Sequence, residues 1–262
     1  MKLNASLPVL SALKKIIFIV LSVALFSSCG SKDIANSNFQ IVAEYPHDDR
    51  AFTQGFEFYE GNLIESTGLK GQSSLRVVDP KSGKVITNHK IDDDYFAEGL
   101  TIYNDLAYQL TWQDETLIVS DLNSGDVEKT YIYEGEGWGL CHDGDQFIKS
   151  DGSSQLTFHD SETFNETSKI DITANGKNIS NLNELECVSG HVWANEYQTN
   201  LIHKIDPSNG KVVATVDLTS LVPEEYKNSQ QSVLNGIAYN AGQDTYWVTG
   251  KNWPKVYEIK IE

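Results

Sequence analysis

Five short stretches of this chain place a different side chain ahead of a similar strand start: Gln54-Gly55, Glu98-Gly99, Trp138-Gly139, Asn183-Glu184 and Asn235-Gly236. Trp112 follows the second stretch, Tyr197 the fourth and Lys251 the fifth. Brought to one opening, these residues would set a carboxylate and a lysine among carboxamides and three aromatic rings. Such a set can hold a small polar group in an apolar slot beside a carboxylate able to move a proton. No nucleophile or metal is needed, and the usual signatures of both are missing. There is no G-x-S-x-G, no H-E-x-x-H or H-x-H spacing, and neither Cys141 nor Cys187 has a triad-like setting. The run Asp92-Asp93-Asp94 could attract calcium but reads as a solvated loop.

The elements that must position these residues repeat along the chain. Each stretch opens an alternating strand that runs into a small-residue turn, as in Gln54-Gly55-Phe-Glu-Phe followed by Glu60-Gly61-Asn62. The starts fall at 54, 98, 138, 183 and 235, so the period is 40 to 52 residues. After each hairpin comes a short apolar strand ending in Asp and a turn, such as Leu75-Arg-Val-Val-Asp79 or Ile202-His-Lys-Ile-Asp206. A further alternating strand closes the unit, for example Val85 to Ile91 or Val212 to Leu218. Four strands per period of this length mark a propeller blade. The expected fold is therefore all-β, a five-bladed β-propeller with four-stranded antiparallel blades. Phe39 to Tyr45 has no blade of its own and is expected to complete the last one, closing the ring and covering its edges. Only Leu221 to Lys227 reads as a turn of helix. In such a fold the first strands start at one mouth, and the loops after the second strands reach the same face.

At this mouth the residues resemble a known family. "TQGFEF", "FAEGLTIYNDLAYQLTWQD", "GEGWGL", "LNELECVSGHVWANEYQTN" and "NGIAYNAGQDTYWVTGKNWPKVYEIK" look like the plant and bacterial glutaminyl-peptide cyclotransferases, in order, from about Ala51 to the C-terminus. The resemblance implies an enzyme that converts the N-terminal glutamine of peptides and proteins to pyroglutamate and releases ammonia, an acyltransferase of the aminoacyltransferase class. It implies Glu98 as catalytic acid/base, Gln54, Asn183 and Lys251 as its polar partners, with Lys251 counted among the catalytic groups, and Trp112 and Trp138 as apolar walls. Tyr197 stands where the family commonly has a further Trp, which changes the size of that wall and adds a hydroxyl. No cofactor is implied for catalysis, and a structural calcium is compatible with the family. A propeller that binds a peptide or glycan at an aromatic mouth without chemistry is the alternative reading.

The ends set the surroundings. Lys2, Lys14 and Lys15 precede an apolar run from Ile16 to Phe26, too short to span a bilayer, followed by Ser27, Ser28 and Cys29. "LFSSCG" resembles the bacterial lipobox, so residues 1–28 read as a lipoprotein signal peptide, with Cys29 the lipidated residue. Residues 29–38 then form the anchor and a short tether, and 39–262 one catalytic domain, a monomer held at a membrane surface of the cell envelope. The formal charge of −17 argues against nucleic acid or anionic lipid as a partner, and loss of residues 1–28, with three lysines and no acid, deepens it. Export permits a disulfide between Cys141 and Cys187, but they lie in different repeats and two buried thiols are the expected state. Labelling with a fatty-acid analogue is expected to mark the natural protein, and Cys29→Ser is expected to remove both the label and membrane association. A labelled, membrane-bound Cys29→Ser protein would contradict the lipobox reading.

Overall fold

The computed structural model describes residues 1–3 and 34–262; the targeting segment and Cys29 lie outside the described residues. The chain divides into two compact units, Met1–Lys32 and Asp33–Glu262. All the described strands lie in the second unit. The first sheet meanders through Thr53–Tyr59, Asn62–Thr67, Ser74–Val78 and Val85–Lys90, and the second through Ala97–Tyr103, Leu106–Thr111, Thr116–Asp121 and Val127–Ile132. Leu140–His142, Gln146–Lys149, Gln155–Asp160 and Glu166–Asp171 form the third. The fifth runs Leu234–Asn240, Thr245–Gly250, Lys255–Ile261, and its outer strand is Phe39–Pro46, paired antiparallel to Lys255–Ile261. These are the four-stranded antiparallel blades of an all-β propeller.

The fourth sheet contains the same meander, Leu182–Val188 to Lys211–Asp217, widened to seven strands. Ala35–Ser37, read from the sequence as tether, lies parallel to the outer strand, and Thr173–Ala174, carrying Lys177–Asn178, also pairs parallel to that strand, at Lys211. These short segments satisfy part of an edge that would otherwise present unpaired N–H and C=O groups. Between Leu221 and Lys227 the expected helical turn is a 3-10 turn, Glu224–Tyr226.

First strands pack side by side from sheet to sheet, and Leu234–Asn240 packs against Thr53–Tyr59. Apolar clusters fill the gaps between sheets: Phe56 and Leu63 meet Ala238 and Trp247, and Leu110 and Leu117 meet Leu140 and Phe147. Glycine repeats at the strand starts because the backbones there nearly touch. A Cβ on Gly99 would lie 2.6 Å from Gly139 Cα, and one on Gly139 would overlap the Asn183 carbonyl oxygen. His47 pins the chain as it leaves the outer strand of the fifth sheet, with one ring nitrogen 2.8 Å from Trp253 O and the other 2.9 Å from Glu65 Oε1. The same adjacency corrects the thiol expectation. Cys141 and Cys187 sit on neighbouring first strands with Cα atoms 5.5 Å apart, and they form a disulfide.

Three acids that the sequence reading passed over point between the first strands. Glu184 accepts the backbone N–H groups of Phe56 (3.2 Å) and Ile237 (2.9 Å), and Glu186 accepts that of Tyr239 (2.9 Å). Glu57 accepts that of Ile102 at 2.9 Å. They satisfy donors for which the neighbouring sheet offers no ladder partner. Burial holds the Glu186 carboxyl well above the ordinary carboxylate range, and the nearby Glu57 carboxyl adds to this. The unfolded chain ionises Glu186 near 4.5, whereas the folded chain keeps the proton to higher pH. Its stabilising contribution is therefore complete at acidic pH and declines as pH rises through the folded value. Glu186→Gln keeps the acceptor for Tyr239 and cannot ionise, so its melting temperature is expected to fall less between pH 5 and pH 8 than that of the natural chain. Parallel losses in calorimetry would contradict the assignment.

Candidate active site

The mouth draws on two kinds of position, the start of a first strand and the turn after a second. Gln54, Glu98 and Asn183 lie at first-strand starts, and Trp138 just before Leu140–His142. Trp112, Tyr197 and Lys251 directly follow Leu106–Thr111, His191–Glu196 and Thr245–Gly250. The pairing register slips between Thr53 and Gly55, between Ala97 and Leu100, and between Leu182 and Leu185. A bulge re-aims the side chain it contains. Gln54, Glu98 and Asn183 occupy those slips, which turn them out of the strand's alternation.

All seven expected residues line one cavity of about 380 Å³. Asn235 does not. Its register slip is of the same kind, between Leu234 and Ile237, but its amide donates to Thr53 O at 3.0 Å, so it braces the strand that carries Gln54. Phe52, Leu69, Phe96, Gln231 and Asn252 complete the lining without having been singled out from the sequence. Phe52 and Phe96 each stand two residues before a blade-start residue, a spacing visible once the mouth is known. Leu69 has φ +83°, unusual for a bulky residue, beside Gly68, where any Cβ would overlap the Phe96 ring.

A buried polar chain crosses the floor. Lys251 Nζ donates to Gln54 Oε1, and Gln54 Nε2 donates to Glu98 Oε1 at 3.0 Å. Glu98, Gln54, Lys251 and Asn183 are all buried. The Lys251 ammonium faces the Phe52 ring at 4.8 Å and the Tyr197 ring at 5.6 Å from the centroids, the preferred side for a cation. Burial drives the Glu98 carboxyl well above its ordinary range; the Lys251 charge opposes this and Glu136 reinforces it. Burial likewise drives Lys251 down to about 8, opposed by Glu98. Asn183 Oδ1 is buried with no partner among the described residues.

The walls are aromatic. Trp138 meets Tyr197 edge to face at 5.6 Å, and Trp112 meets Phe96 at 5.6 Å. Among the described residues no group of three or more His, Cys, Asp or Glu is placed to hold a metal ion. In the Asp92–Asp94 run, Asp92 accepts the Asp94 N–H at 3.0 Å, and Asp93 pairs with Lys90.

A β-propeller whose mouth holds a buried carboxylate and lysine between indole walls is a candidate enzyme of small polar substrates. The family model for glutamine cyclotransferase matches residues 15–261. The chain belongs to the glutamine cyclotransferase family. It is 40% identical over 243 residues to a glutaminyl-peptide cyclotransferase of Arabidopsis thaliana, covering 90% of this chain and 76% of that protein. The crystal structure of Myxococcus xanthus glutaminyl cyclase superposes with a TM-score of 0.82 at 35% identity, over 88% of this chain and 99% of that one.

The coupling across the floor has a measurable sign. Because the Glu98 charge holds Lys251 up, Glu98→Gln is expected to move the Lys251 titration below about 8, read by NMR of labelled lysine. An unchanged or higher value would show that the two groups do not interact.

Proposed function

We propose that the cavity cyclises the N-terminal glutamine of peptides to pyroglutamate with release of ammonia. The observation that carries this reading is the buried Lys251–Gln54–Glu98 chain lying under the indole walls. A glutamine side chain fits between the rings with its γ-carboxamide toward the floor, and the walls hold the flexible chain folded so that the α-amine reaches its own carboxamide carbon. The Asn183 oxygen offers an acceptor for a substrate N–H.

The amine nitrogen attacks the carboxamide carbon, and Lys251 stabilises the oxyanion that forms. Glu98 takes the proton leaving the amine and passes it to the departing nitrogen; the C–N bond breaks, the lactam carbonyl reforms and ammonia leaves. This is acyl transfer from ammonia to the peptide's own amine. A carboxyl raised by burial is suited to the task, since a proton carrier works best with a pKa near the working pH.

The seven-stranded sheet is read as a fifth blade, with the Phe39–Pro46 strand closing the ring. The protein is read as an exported lipoprotein, anchored through Cys29 and acting on peptides in the cell envelope.

Incubation with Gln-Ala tests the activity. Ammonia release is expected, with Glu98→Gln lowering kcat by about 10²–10⁴-fold while melting unchanged. Peptide binding without ammonia would make the cavity a recognition site, and a Glu98→Gln protein with more than a tenth of natural turnover would move the proton shuttle elsewhere.

A further inference from the structure

Behind the cavity walls lies a carboxylate that the proposed chemistry does not use. Glu136 sits two residues before Trp138, in the run that leads into the third sheet. Its Oε2 accepts the indole N–H of Trp112 at 2.8 Å and that of Trp138 at 2.9 Å. Its Oε1 accepts from Gln113 Nε2 at 2.9 Å. Its backbone carbonyl accepts from Lys149 Nζ at 2.9 Å, which ties the run to the third sheet. Trp112 and Trp138 come from different sheets, so one side chain joins two blades at the mouth.

An indole N–H can only donate, and a partly buried one needs an acceptor to fix the ring's rotation. Here both donors converge on a single oxygen. Burial pushes the Glu136 carboxyl up, but the hydrogen bonds from Gln113, Trp138 and Trp112 outweigh it and hold the carboxyl below its ordinary range. The acceptor therefore stays charged across neutral pH. Both rings also have packing contacts: Trp138 lies so close to Gly152 that a Cβ there would come within 2.6 Å of the ring, and Trp112 packs on Phe96. Each ring is thus held at its N–H edge by Glu136 and elsewhere by packing.

We infer that Glu136 is a positioning residue that clamps the two indole walls and so sets how tightly the substrate's glutamine side chain is gripped. The inference rests on the cyclase reading of the cavity. Glu136 has no hydrogen bond to Glu98, Gln54 or Lys251 among the described residues, so its loss loosens the grip and leaves the floor's hydrogen bonds in place, while removing a charge that helps to raise Glu98. Binding suffers more than the chemical step.

Three proteins decide the matter: the natural chain, Glu136→Gln and Glu136→Ala, each measured for KM and kcat on a Gln-peptide and for acrylamide quenching of tryptophan emission. Trp193, Trp247 and Trp253 are buried, so quenching reports on the two cavity indoles. Glu136→Ala is expected to raise KM about tenfold, the loss of a charge-assisted hydrogen bond, with kcat within about threefold. Glu136→Gln keeps one acceptor oxygen and is expected to fall between, with quenching rising in the same order. If Glu136→Ala does not fold, Glu136→Gln alone gives the answer. Unchanged KM and quenching in a folded variant, or a lower melting temperature with normal KM, would overturn the clamp. A natural chain that releases no ammonia would overturn the cyclase reading and the clamp with it.

Discussion

First strands that pack side by side need backbones that nearly touch where they start. A side chain on Gly99 or Gly139 would occupy space already taken by the neighbouring backbone. Glycine at these positions is thus a steric demand of the packing. It leaves the residue before it, in the same register slip, free to turn into the mouth. Gln54 and Glu98 are each followed by such a glycine, and the mouth is a by-product of the geometry that lets the blades meet.

The close approach also brings ionisable groups together in a poorly solvated place. An isolated buried charge is costly, and breaking a buried pair by removing one member typically costs about 3–5 kcal/mol. At the mouth, the cost is offset by linking Lys251 to Glu98 through the Gln54 carboxamide, an arrangement that leaves Glu98 raised and Lys251 lowered. Farther along the first strands, Glu184 and Glu186 meet burial differently, capping backbone donors and holding their own protons. One polar set lines the cavity and the other ties neighbouring strands together, and hydrogen-bond partners distinguish them better than residue type.

Blade-to-blade ties are of three kinds. Apolar clusters fill the space between sheets, the Cys141–Cys187 disulfide links two first strands, and Glu136 joins two indoles across the mouth. The disulfide joins two first strands, while polar ties also occur at outer strands, where Tyr131 OH donates to Glu162 O of the next sheet at 2.7 Å. Apolar packing carries the rest, since it tolerates the different side chains of successive units.

The sequence by itself determined the propeller and the residues that meet at its mouth. Alternating strands with turn residues recur at a nearly constant period, and that pattern is local chemistry, readable one unit at a time. Gln54, Glu98, Trp138 and Asn183 were legible because each varies ahead of a repeated strand start, and Trp112, Tyr197 and Lys251 because they fall in the loops after second strands. Tertiary structure alone decided what those residues touch. Asn235 breaks the pattern in the same way yet turns to the Thr53 carbonyl, because the strand beside it supplies an acceptor that no spacing reveals. Glu136, which the sequence reading did not single out, accepts the N–H groups of two indoles from different sheets. The two cysteines were read as separate thiols because they lie in different repeats, yet folding brings these residues, 46 apart in the chain, to 5.5 Å between Cα atoms. Periodicity records which face a side chain takes within its own strand; partners across blades depend on the three-dimensional approach of strands far apart in the chain.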